Sequence, residues 1–151
     1  MPPPNLDDLI AMSKYPGRFE PEHEVIGDWL QARGSLYDRI EFNVRLGAGV
    51  EPPAELVEPY LTNAKELSQK RADIVVWIDD GVIIVEAKGR ATTNALGQLQ
   101  AYRTLWTLEH PDTPVLGLQV ICRRIGPDDL LAMTSNGVDV YVYTKADAST
   151  E

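Results

Sequence analysis

Cysteine is nearly missing from this sequence. Cys122 is the single one in 151 residues, which excludes an internal disulfide and any cysteine-based metal cluster. Histidine is almost as scarce, limited to His23 and His110. No uninterrupted apolar run is long enough to cross a bilayer, and the opening MPPPNLDD has neither the basic nor the apolar region of a secretory signal. Positive charge is also short: 14 Lys and Arg stand against 23 Asp and Glu, a net −9. That balance argues against broad non-specific nucleic-acid binding, which depends on lysine and arginine, but leaves room for a local basic strip. These absences point to an intracellular protein, cytoplasmic or carried in a virion if phage-encoded, with no membrane partner.

What is present is an ordinary globular composition, 44% hydrophobic and 25% charged, in a length that suits one domain with a real core. Cys122, inside the strand-like VICRRI, reads as a small core residue. Residues 1–20 form a proline-rich lead with a short helix capped by Asn5, residues 21–144 a single domain, and residues 145–151 a polar tail. The domain begins with a helix from about Pro21 to Ala32, whose inward stripe is Val25, Ile26, Trp29 and Leu30, with Gly34 as its stop. Glu22 falls beside that stripe. SLYDRIEFNVRLG follows as a strand with Ile40, Phe42, Val44 and Leu46 on the buried face.

A long connection with three prolines, holding a short helix around Glu66, leads to RADIVVWIDDGVIIVEAK, the hairpin around which the chain is organised. A helix capped by Thr93 or Asn94 carries the buried stripe Leu99, Tyr102, Trp106. VLGLQVICRRI is the next strand, GPDDLLAMTSNG a short helix, and VDVYVYT the last strand. Helix, three strands, helix, strand, helix, strand implies an α/β fold: a mixed sheet of antiparallel hairpins followed by helical crossovers, with helices on both faces.

If Asp80-Gly81 makes the hairpin turn, Asp73 lies opposite Lys88 and Val75 opposite Glu86. Opposed residues share a face, so Asp73, Glu86 and Lys88 point one way. Ile74, Val76 and Ile78 meet Ile83, Val85 and Ala87 on the other. Two carboxylates and a lysine on one face suit metal-dependent phosphodiester hydrolysis. A hard cation takes one or two carboxylates, with water and substrate phosphate filling its shell. Diagonal neighbours on a hairpin have β-carbons roughly 7–8 Å apart, a gap a Glu side chain can bridge around an ion. Lys88 would position the attacking water or stabilise the transition state.

Asp73 followed by Glu86-Ala87-Lys88 resembles the PD-(D/E)XK nuclease superfamily. Gln98-Leu99-Gln100-Ala101-Tyr102 resembles the Q-x-x-x-Y element of its RecB-like branch, with Gln98 and Tyr102 one helical turn apart. The resemblance covers roughly residues 20–143; Ala72 stands where the motif name has proline. It implies a restriction-endonuclease-like core and Mg²⁺ or Mn²⁺ bound by Asp73 and Glu86, with the Ala87 carbonyl as a further ligand. It also implies a catalytic Lys88, and Gln98 and Tyr102 supporting the site or touching DNA. Glu22 matches the first-helix acid that completes such sites. The expected activity is DNA cleavage, endo- or exonucleolytic.

Each piece has a plainer reading. Glu-x-Lys at a strand end is commonly a surface ion pair, and Asp73 can bond a nearby backbone group. Gln98 and Tyr102 can be helix flank and core, His23 a helix-surface residue, and Arg103 a solvated one; Arg90 and Arg103 are the candidate phosphate contacts. The acidic balance and the lack of a separate DNA-binding domain also suit a second role. That role is a nuclease-fold structural or binding subunit in a phage particle or DNA-processing complex, with protein partners or a second copy of itself.

Overall fold

The computed structural model describes residues 20–47, 57–58 and 70–144. The expected lead with its Asn5-capped helix, the helix around Glu66 and the polar tail lie outside the described residues. The order is α1 (Glu20–Arg33), a 3-10 turn (Gly34–Leu36), β1 (Arg39–Leu46), β2 (Lys70–Ile78), β3 (Gly81–Ala91), α2 (Thr93–Glu109), β4 (Val115–Ile125), α3 (Pro127–Ser135) and β5 (Val138–Val142). The expected sequence of elements holds. Five strands form one sheet in chain order, antiparallel from β1 to β3 and parallel from β3 to β5. The mixed sheet follows from loop length: a tight turn can join only antiparallel neighbours, whereas α2 and α3 supply the crossovers that parallel pairing needs.

Helices cover both faces. On one side Val25, Ile26, Trp29 and Leu30 of α1 are fully buried against Ile74, Val76, Val85, Ala87 and Ile121. Burying side chains of this size stabilises by about 1.5–3 kcal/mol each, so the stripe is what fixes α1 to the sheet. On the other side Ala95, Leu99, Tyr102 and Trp106 of α2, with Met133 of α3, pack on Val75, Val82, Ile84, Val120 and Cys122. No helix among the described residues is long and apolar enough to cross a membrane.

Several local expectations change. Thr92, not Thr93 or Asn94, caps α2, its side chain accepting from the Asn94 N–H. Gly34 opens the 3-10 turn rather than ending the helix passively, and Tyr37 stacks on Trp29 at 5.6 Å instead of joining β1. His23 is buried at 9% exposure rather than lying on the helix surface. Most consequential is β1. Ile40 and Phe42 pack with α1, but Val44 and Leu46 pack with α2. The strand changes face at Asn43, whose φ of 55° breaks strict alternation. Opposite it β2 does the same, with Ile74 on the α1 side and Ala72 on the α2 side. Asp73 sits at that switch.

Candidate metal centre

The hairpin turns one position earlier than its Asp-Gly pair suggests. Ile78 pairs with Gly81, which makes Asp79-Asp80 the turn, with Asp79 at φ 53°. Gly81 is needed for a different reason: a β-carbon there would sit 2.5 Å from the Pro114 carbonyl oxygen and 2.7 Å from Leu116 Cγ. The Val82 N–H donates to that same carbonyl at 2.9 Å, so β4 enters directly against the hairpin end. Val75 therefore pairs with Ile84, not Glu86, and the ladder ends at Ile74–Val85, so the expected opposition of Asp73 and Lys88 is not part of it. A slip of two residues leaves the side chains of the regular ladder on their original faces, whereas a slip of one would have inverted them.

Register then aims them. Glu86 neighbours Val120 across the parallel ladder and Lys88 neighbours Cys122, and both of those partners belong to the cluster beneath α2. Glu86 and Lys88 thus point toward the helix that carries Gln98 and Tyr102. Glu86 is 1% exposed, with its Oε2 3.7 Å from Lys88 Nζ. Asp73, 3% exposed, accepts a hydrogen bond from the Ala87 N–H through Oδ2 at 2.9 Å. A carboxylate buried to this degree costs several kcal/mol unless a charge or hydrogen bond compensates it. Both compensations are therefore conditions for the fold, and each matches one of the plainer readings: Asp73 does bond backbone, and Glu86 does pair with Lys88. Neither precludes chemistry at the same groups.

Along α2 lies a concavity of about 470 Å³, lined by Lys70, Thr93, Asn94, Gly97, Gln98, Ala101 and Tyr102, with none of Asp73, Glu86 or Lys88 in its wall. Gln98 and Tyr102 both line it, one turn apart. Tyr102 is 5% exposed and part of the core, while the buried Gln98 Oε1 has no hydrogen-bond partner. Lys70 does not stand out in the sequence. It pairs with Leu46 across β1–β2 and so shares the α2 face. Its signal is its place two residues before Ala72, legible only once the strand is known to begin there.

Other candidates stay apart. Glu22 is on α1, the helix of the opposite face, and no group of three or more His, Cys, Asp or Glu side chains able to hold a metal ion gathers among the described residues. Arg90 and Arg103 are exposed, and neither touches the carboxylates. The oxygen donors available are thus two buried carboxylates on adjacent strands, Asp73 on the Ala87 N–H and Glu86 beside Lys88. That set fits a hard divalent cation, which needs few protein ligands and leaves its remaining positions to water and phosphate oxygens. It does not fit zinc, which favours nitrogen and sulfur ligands. No protein-family model, curated protein or solved structure matches the chain.

Proposed function

We propose that this chain is a metal-dependent nuclease that hydrolyses DNA phosphodiester bonds on a restriction-endonuclease-like core. The observation that supports the reading is the burial of two carboxylates, Asp73 and Glu86, on adjacent strands of the hairpin, with Lys88 3.7 Å from Glu86 and with Gln98 and Tyr102 on the helix that covers the Glu86 face. Asp73 and Glu86 would hold Mg²⁺ or Mn²⁺, with the Ala87 carbonyl as a further oxygen donor. A bound ion of this class supplies Lewis acidity and a water that ionises more readily. Hydrolysis would add a water oxygen to phosphorus, break the bond to one ester oxygen and pass the water's proton to that leaving oxygen. Lys88 keeps a cation at the rim of the site, where negative charge grows on the phosphate. Gln98 and Tyr102 fix the outer wall and orient the strand.

The experiment is cleavage of supercoiled plasmid and of linear single-stranded DNA by the purified chain, with Mg²⁺, with Mn²⁺ and with EDTA. Cleavage that EDTA stops and that Asp73→Ala and Glu86→Ala abolish is the expected result. The closed Glu86–Lys88 pair, together with the absence of a third acidic ligand among the described residues, favours one other reading. In it the same core serves as a binding subunit of a larger DNA-processing or viral assembly. Intact DNA in every metal condition, from a folded protein, selects that second reading.

A further inference from the structure

The concavity along α2 has one cation and no carboxylate in its wall, in a chain whose net charge is −9. Lys70 is that cation. It is exposed and forms no ion pair among the described residues. It lies three residues before Asp73 on β2, roughly 10 Å along the strand, so the cavity adjoins the carboxylates without containing them.

Folding does not explain two of the other wall residues. Gly97 stands inside the 17-residue α2, where glycine is a poorer helix former than alanine. Close packing does not require it, because a β-carbon there would meet nothing within 4 Å. Its bare backbone provides a flat stretch of wall that a ligand can approach closely. Gln98, the next residue, keeps a buried Oε1 without a hydrogen-bond partner, and its amide makes no other bond among the described residues. The helix end itself is already occupied: the Thr93 N–H donates to Asp129 and the Asn94 N–H to Thr92.

At about 470 Å³ the cavity falls in the range of sites that hold one small organic molecule, roughly 300–1,000 Å³. A lone phosphate would leave most of it empty. Its chemistry suits a negative group at Lys70 and a flat, hydrogen-bonding face at Gly97 and Gln98. A nucleotide has both. The Gln98 amide offers a donor and an acceptor side by side, which a nucleobase edge answers in kind.

We propose that this cavity holds one unstacked nucleotide of a DNA strand, its phosphate on Lys70 and its base across Gly97 against Gln98, and so selects single-stranded DNA. This selection rests on the nuclease reading and adds to it the form of the substrate. A base in a duplex is stacked and paired, and must leave the stack to enter a cavity sized for one unit. A single strand has that base already available.

The test is fluorescence anisotropy in EDTA, where cleavage cannot enter, with a labelled single strand and the duplex of the same sequence. The single strand is expected to bind about tenfold or more tightly than the duplex, which must also unstack a base. Gly97→Leu fills the cavity and is expected to weaken single-strand binding by about tenfold or more, with a thermal midpoint unchanged or raised. Lys70→Gln, at an exposed position, should flatten the single-strand log–log salt slope by about 0.7. Equal affinity for the two forms of DNA, native single-strand affinity in a folded Gly97→Leu protein, or an unchanged slope in Lys70→Gln overturns the proposal. Should Gly97→Leu fail to fold, the Lys70→Gln slope and the comparison of the two DNAs decide alone. Unlabelled deoxyadenosine monophosphate separates a strand site from a free-nucleotide site: competition with an affinity equal to that of the strand overturns the former. Cavity-dependent single-strand binding without cleavage of either DNA in Mg²⁺ or Mn²⁺ would instead sink the nuclease reading and leave the cavity standing.

Discussion

The Asp73 carboxylate accepts the Ala87 N–H at 2.9 Å, so a side chain stands where the β2–β3 ladder would otherwise place a backbone carbonyl. Regular pairing stops next to it, at Ile74–Val85. One residue thus ends the pairing of two central strands and presents an acid at the opening. This couples stability to the proposed chemistry, and the two can be separated by mutation.

Asp73→Ala is expected to cost about 1–3 kcal/mol, because a buried N–H loses its acceptor. Asp73→Asn keeps an oxygen for that N–H and should stay within about 1 kcal/mol of the native protein, yet lose DNA cleavage. Urea denaturation and the plasmid assay on both variants read the two effects. A cleaving Asp73→Asn protein would remove Asp73 from the metal site.

Lys88 compensates a carboxylate that is 1% exposed while itself remaining 28% exposed. Lys88→Met should destabilise by about 1–3 kcal/mol, less than for a pair hidden on both sides, since water reaches the lysine. A double-mutant cycle with Glu86→Gln should recover most of that loss. Additive losses in the cycle would mean the 3.7 Å contact carries little energy.

Gln98 and Tyr102 should part company. Tyr102→Ala removes a core side chain and is expected to cost about 3–5 kcal/mol. Gln98→Ala removes a buried Oε1 that no donor satisfies, and should be near neutral or slightly stabilising. If Gln98 orients the DNA strand, the same substitution lowers cleavage and weakens DNA binding in EDTA. Native affinity and rate in Gln98→Ala would reduce the residue to helix surface.

Gly81→Ala should destabilise by about 1–3 kcal/mol, since the added carbon meets the Pro114 carbonyl oxygen, a backbone atom that cannot swing aside. Gly97→Ala, whose added methyl would meet nothing within 4 Å, should stabilise α2 by about 0.5–1 kcal/mol. Thermal melts of the pair decide it. Equal midpoints would contradict the close approach of β4 to the hairpin end.

Alkaline pH should weaken the fold. Burial pushes the Cys122 thiol up, and burial pushes the Tyr143 phenol up against the opposing pull of Arg33. Both groups hold their protons longer folded than unfolded, so their contribution is complete below the unfolded thiol value of about 8.5. It is lost as pH rises through the folded values. Urea midpoints from about pH 7 to about pH 10 should fall, and Cys122→Ala should fall less steeply in the lower part of that range. An identical decline in the variant would assign the effect elsewhere.

Much of the molecule was legible in the sequence because periodicity reports burial directly. The stripe Val25, Ile26, Trp29, Leu30 and the stripe Leu99, Tyr102, Trp106 are buried as their spacing requires. The apolar face of the hairpin, from Ile74 and Val76 to Val85 and Ala87, is buried as expected, and it is α1 that covers it. Glu86 and Lys88, two apart on β3, share the α2 face as alternation requires, and a register error of two residues did not disturb that. Residues that depend on distant backbone were not legible. Gly81 looked like a turn residue because it follows Asp80, yet its constraint comes from Pro114, far along the chain. Val44 and Leu46 continued the parity of Ile40 and Phe42, yet they pack on the opposite side because Asn43 takes φ 55°.

The sequence by itself determined the order of elements, the two buried helix stripes and the shared face of Glu86 and Lys88. These are consequences of local periodicity, which every residue carries with it. Only the tertiary structure decided that the Asp73 carboxylate bonds the Ala87 N–H and that Lys70 joins Gln98 and Tyr102. Register and juxtaposition are set by which strand lies beside which, and the cost of burying each charge is fixed only when that neighbour arrives.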